Sequence, residues 1–240
     1  MTTTIAHRPG PVAHTAGRIG RVVLGYLGWY WLVVTPFFVA FSLWLAHVNG
    51  GLDAAVILYS RQGAIWFPFA QAIAMVATYL RVHVAAGMTR RTFARAALLV
   101  AGGTGTAYAV VLTVLAAVER ELHRAAGWGW RVTDAVLADE SSPAGLLLAE
   151  LVLACVVANV AGLLVGIVYQ RAGGWWGTLA LPVTAGPVAL VLTLLGSTPA
   201  GRDSWAGAAP ALLGGALVVA LTAAAFAVVT TRTPLGRSSP

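Results

Sequence analysis

The chain has 240 residues, 59% of them hydrophobic, a mean hydropathy of +0.82, and only 10% charged residues with a formal net charge of +7. Soluble domains carry roughly 25% charged residues, so an ordinary water-exposed surface is excluded, and the charges gather between long apolar runs. All 15 basic residues are arginine; without lysine there is no phosphate-loop, Schiff-base or general-base lysine, which excludes a P-loop ATPase.

A hydrocarbon core about 30 Å thick needs roughly 20 apolar residues at 1.5 Å each, and six stretches meet this requirement. The first, Val22 to Ala46, is uncharged and longer than a perpendicular span needs. Arg18, Arg21, Tyr26, Trp29, Tyr30 and Trp31 give its start the cation-then-aromatic order of an interfacial segment. This predicts an amphipathic lead-in that bends into the membrane near Gly28, and an uncleaved anchor. The second stretch runs from about Gly63 to Leu80, with Pro68 in its first turns, and the third from about Phe93 to Val118. An outer loop over 119–143 follows, with a short amphipathic helix expected around Trp128 to Leu137. The fourth stretch, Ala144 to Tyr169, opens after Ser-Ser-Pro, a helix-start signal. The fifth, Trp175 to Leu195, holds Pro182 and Pro187 and is expected to be kinked or broken. The sixth runs from about Ala208 to Thr230. No internal repeat is evident, so residues 1–240 read as one transmembrane domain of an all-α integral membrane protein.

Orientation follows from the arginines. With the amino terminus inside, cytoplasmic segments hold Arg8, Arg18, Arg21, Arg81, Arg90, Arg91, Arg95, Arg171, Arg232 and Arg237, ten of the fifteen. Seven of the eight carboxylates fall in outer segments, and the eighth, Glu150, lies near the outer end of the fourth span. The positive-inside rule therefore places both termini in the cytoplasm. The same rule accounts for the basic balance without a nucleic-acid partner, and the alanine-rich, lysine-free usage points to a bacterial source and its cytoplasmic membrane.

Few polar residues fall within the spans. Most are threonines able to bond their own helix. Gln71 and Asn159 are expected to face another helix or a cavity, and Glu150 is the one acidic candidate for an intramembrane site; these three are the substrate-path candidates. The lone cysteine, Cys155, reads as a packing residue. The five histidines lack i,i+4 spacing and carboxylate neighbours, so no metal site is expected, and no constellation of catalytic residues is present. Small residues recur every fourth position at Ala101, Gly105 and Ala109, at Ala158, Gly162 and Gly166, and at Ala216, Ala220 and Ala224, which predicts close helix packing more securely than a dimer.

The most informative segment is the basic loop from Arg81 to Arg95. Gly87 is placed to break one helix and Thr89 to cap the next, whose first turns carry Arg90, Arg91 and Arg95. Cations oppose the helix dipole at that position, so a role outside helix stability is expected for them: orientation with phospholipid contact, or partner docking. A helix end followed by Gly87-Met88-Thr89-Arg90-Arg91-Thr92-Phe93, between the second and third of six membrane helices, resembles the cytoplasmic loop of type-2 ABC exporter permeases, where Gly-x-x-Arg-x-x-Phe patterns recur. The resemblance extends, as topology, to the interfacial lead-in and the broken fifth span. It implies a membrane permease subunit with no catalytic residue or cofactor of its own. A separate cytoplasmic ABC ATPase would carry ATP and Mg and dock on Gly87, Met88, Thr89, Arg90, Arg91 and Phe93. A second permease copy, as a homodimer, would complete a two-plus-two complex. An apolar path with few charges suits a drug, peptide antibiotic or lipid. The alternatives are a substrate-binding membrane component of an uptake system and a non-transporting membrane scaffold.

Overall fold

A computed structural model of the chain describes residues 10–132, 142–196 and 204–232. The helices are α1 (Pro11–Asn49), α2 (Arg61–Ala85), α3 (Arg90–Ala126), α4 (Ala144–Leu179), α5 (Leu181–Thr184), α6 (Gly186–Gly196) and α7 (Trp205–Arg232), with a 3-10 helix at Val56–Ser60 ahead of α2. The fold is all-helical among the described residues, and five helices are long and apolar enough to cross a membrane: α1, α2 with its 3-10 lead, α3, α4 and α7. That is the plan of a multi-pass membrane protein.

The expected interfacial lead-in is not a separate element. It is the first part of α1, a single helix of 39 residues, about 58 Å long at 1.5 Å per residue. Pro11 opens it at a position where the missing N–H costs little, and the next positive-φ residue is Gly50, which closes it at φ 72. Gly17, Gly20, Gly25 and Gly28 all stay helical, so the lead-in and the span form one continuous helix, with Pro36 inside it. Tyr30 and Trp31 turn into the bundle. Trp31 is buried, and both rings pack on the fully buried Tyr108 of α3, at centroid distances of 5.3 and 6.0 Å. Trp29, one residue earlier, is exposed on the outer face.

Helix α3 outruns its apolar stretch. Residues 119–126 remain helical despite their charges, helped by the Glu121–Arg124 pair one turn apart, and the helix stops only at Gly127 (φ 70). The helix expected around Trp128 to Leu137 is absent over 128–132. That strand-like run pairs with the α1–α2 linker: Arg131 N–H donates to Asp53 O at 2.7 Å and Ala55 N–H to Arg131 O at 2.8 Å. The rest of that stretch lies outside the described residues.

Helix α4 is the centre of the bundle, largely buried from Leu151 to Ile167, whereas α1 and α7 turn broad apolar faces outward. Two of the small-residue stripes explain how α4 is enclosed. A Cβ on Gly162 would collide with the carbonyl oxygen of Phe69 and come within 2.9 Å of Ala72 Cβ, and one on Gly166 would come within 2.9 Å of Val76, so α2 lies directly on this stripe. On another side a Cβ on Gly105 of α3 would meet the Val156 backbone nitrogen at 2.8 Å. In lipid, where apolar association gains nothing from excluding water, such close approach supplies the dispersion contacts that hold helices together. The third stripe, Ala216, Ala220 and Ala224, is exposed.

The polar groups within the helices are mostly satisfied locally. Ser42, Thr106, Thr113, Thr193 and Thr222 each donate to the carbonyl four residues back. Pro68 lies in the interior of α2 and cannot donate to the Ala64 carbonyl. Buried Cys155 does so instead, its Sγ lying 3.8 Å from that oxygen. The cysteine therefore does more than pack.

The region of the fifth stretch is broken into short pieces. Gly173 leaves the helical region (φ 80, ψ 179), and Pro182 and Pro187 remove the donors to Thr178 and Val183. The chain accordingly proceeds as the last turn of α4, then the four-residue α5, then the eleven-residue α6.

Candidate functional site

The long helices run up and down, which gives the bundle two chemically different ends. At one, Thr15 of α1 meets His83 of α2 (3.3 Å), and Arg81 donates to Gln170 of α4 (3.2 Å). The turn from α2 to α3 lies here beside the last turn of α7. Arg18, Arg21, Arg81, Arg90, Arg91, Arg95, Arg171 and Arg232 all belong to this end. The four described carboxylates, Asp53, Glu119, Glu121 and Glu150, belong to the opposite one. There each of three ion pairs joins one of them to an arginine: Arg61–Glu150, Arg124–Glu121 and Arg131–Asp53.

The basic turn is built by its own sequence. Gly87 takes φ 79, which lets Gly87 N–H reach Val84 O (3.0 Å) and Met88 N–H reach His83 O (3.1 Å), closing α2 with a Schellman motif. Thr89 then starts α3, its hydroxyl oxygen accepting from Thr92 N–H at 3.1 Å. Only Met88 and Thr89 separate the positive-φ glycine from Arg90, so the loop has little freedom. Gly87, Thr89 and Arg91 are exposed, and Met88 and Arg90 half-buried. Phe93 is fully buried, its ring 5.8 Å from that of His83, within the cluster formed by Ile19, Leu80, Ile167 and Phe226. The surface contact expected of Phe93 is therefore unavailable in this structure; it anchors the turn from below. A shallow cleft of about 630 Å³ brings Thr89, Arg90 and Arg91 together with Val228, Thr231 and Arg232 of α7. Sequence reasoning counted Arg232 only as an orientation charge. The signal was its place in the last turn of the final helix.

Gln71, Asn159 and Glu150 do not converge. Asn159 is buried and donates to Cys155 O at 2.9 Å within its own helix. Gln71 is half-buried, and neither end of its amide finds a partner among the described residues. Glu150 is buried and faces Arg61 Nη1 at 3.3 Å, so it stands in an ion pair and not at a wet interface. The clefts at the two ends of the bundle are lined by other residues.

At the opposite end, Glu119 ties the helices to the linker between α1 and α2. It accepts from Ile57 N–H (2.9 Å) and Trp130 Nε1–H (3.3 Å), while His123 Nδ1 lies 2.6 Å from Gly129 O. No group of three or more His, Cys, Asp or Glu side chains that could hold a metal ion occurs among the described residues. Comparison with protein-family models, curated proteins and solved structures finds no match for the chain.

Proposed function

We propose that this chain is the permease subunit of a bacterial ABC exporter, energised by a separate ATPase that docks on the α2–α3 turn. The observation that carries the reading is the turn itself. Two long apolar helices are joined by a capped link that holds Arg90 and Arg91 at the carboxylate-poor end, with Arg232 beside them. A rigid short turn suits a force-transmitting contact better than a floppy loop would. Its charges lie at a helix start, where they do not serve the helix. In this reading the chain crosses the cytoplasmic membrane six times with both ends inside, the broken α4–α6 region supplying the fifth crossing. Two copies and two ATPases move an amphipathic cargo such as a drug, peptide antibiotic or lipid. Gly87, Met88, Thr89, Arg90 and Arg91 form the docking surface and Phe93 supports it.

Replacing Arg90 and Arg91 together with alanine is expected to reduce transport-coupled ATP hydrolysis while leaving insertion and helix content intact. Unchanged coupling in a correctly inserted variant refutes the docking assignment. An adjacent reading frame encoding a Walker A motif is the expected genomic counterpart.

A further inference from the structure

At the end opposite the basic turn, a cleft of about 330 Å³ lies between α1 and α3. Its size falls at the lower end of small-molecule sites, about 300–1,000 Å³. Phe38, Val39 and Leu43 form one wall, Leu115 and Val118 the other, and Trp128 the end. Of the polar side chains that border it, Ser42, Glu119 and His123 are already engaged, and Thr35 and the Trp128 indole add only neutral groups. Ser42 donates to Phe38 O, both carboxylate oxygens of Glu119 accept from neighbouring donors, and His123 is held by the Gly129 carbonyl. The cleft thus offers an apolar molecule contact and a charged one no compensation.

A second cleft, of about 580 Å³, shares Leu52 and Trp128 with the first. Its lining is mixed: Asn49, Asp53, Tyr59 and the backbone of Gly50, Gly51 and Gly127 supply polar groups, and Leu45, Leu52, Val56 and Trp128 apolar ones. Asp53 faces Arg131 at 3.8 Å in an exposed pair, so these two charges, the nearest among the described residues, are of opposite sign. Among the described residues this cleft therefore carries no net charge, and what it offers a head group is hydrogen bonding from Asn49, Tyr59 and the glycine backbone.

We propose that the two clefts form one binding site for a single-tailed amphiphile. Its apolar tail lies between α1 and α3 and an uncharged, hydrogen-bonding head lies against the 49–54 turn. This does not rest on the exporter reading, because binding is read on the isolated chain without any ATPase.

The test uses the full chain in phosphatidylcholine nanodiscs and a decyl glucoside carrying a diazirine on its tail. Labelling is expected to saturate and to map to residues 35–43 and 115–128. It should be competed by unlabelled decyl glucoside at concentrations about tenfold below those needed of decyl phosphate or decyl trimethylammonium, a difference equivalent to about 1.4 kcal/mol. Val39→Trp and Val118→Trp, which fill the cleft from its two walls, are expected to cut labelling by about tenfold, while Leu213→Trp on the exposed face of α7 leaves it unchanged. Labelling that rises linearly with probe, spreads equally to α7, or is competed equally by the charged amphiphiles overturns the proposal. If a filled variant fails to fold, the labelling map of the unmodified chain decides alone.

Discussion

Glu150→Ala removes one partner of a buried ion pair and leaves the other in place. The pair is single-pronged, Arg61 Nη1 to Glu150 Oε1 at 3.3 Å, with side chains 9% and 3% exposed. Arg61 Nε has no partner among the described residues even with Glu150 present. Breaking a buried pair at one end costs about 3–5 kcal/mol, and the 3.3 Å separation places this one at the lower limit. The expected loss is about 3 kcal/mol, roughly two powers of ten in the folding equilibrium at 1.36 kcal/mol per decade. Arg61→Met removes the other partner of the pair and is expected to cost a comparable amount. The double variant Arg61→Met with Glu150→Leu should return to within about 1 kcal/mol of the parent, since the desolvation cost of both charges disappears with them. Unfolding equilibria in mixed micelles followed by circular dichroism measure all four proteins. A loss below about 1 kcal/mol for Glu150→Ala, the range of a solvated pair, refutes the assignment of this pair to the buried interior.

Substitutions at four further positions probe the packing and the basic turn. Gly162→Ala should lower stability by about 1–3 kcal/mol, because its Cβ meets the Phe69 carbonyl and Ala72 on a helix that can yield only by moving away. Gly214→Ala, whose nearest neighbour is Leu194 Cδ1 at 3.6 Å, should not. The same micelle assay distinguishes them. Cys155→Ala should cost about 1 kcal/mol by orphaning the Ala64 carbonyl below Pro68, and Cys155→Ser should restore most of it. Gly87→Ala forces an L-residue to φ 79 and should cost about 1 kcal/mol. That loss should show as faster amide exchange confined to residues 83–93.

Much of the bundle is legible in sequence because membrane helices must be long and apolar. Gly87 and Thr89 were readable as stop and start because each has a backbone reason to be there. Pro182 and Pro187 marked the broken segment by the donors they lack. Two of the three small-residue stripes lie in contacts within the chain, while the third faces outward, a difference no spacing rule contains. What escaped the sequence depends on which face a residue turns inward. Trp29 and Trp31 are alike in type and two positions apart, yet one is exposed and the other packs on Tyr108. The charges at 119–126 end an apolar run but not a helix, since Glu and Arg are good helix formers, so α3 continues to Gly127. Arg61 and Glu150 are 89 positions apart, and only the packing of α2 on α4 makes them neighbours. In the basic turn, the pattern that drew Phe93 into the proposed docking surface was blind to its burial, and Arg232 lies beside Arg90 and Arg91 only through the placement of α7.

The docking claim is tested most directly by placing a photo-crosslinking residue at position 91 in the full chain, and separately at position 131, in native membranes. The account predicts that illumination joins position 91 to a cytoplasmic chain bearing a Walker A motif and that position 131, at the other end of the bundle, gives no such product. Crosslinking of that ATPase at 131 instead, or no ATP-binding partner at 91 in a membrane where transport is active, would contradict it.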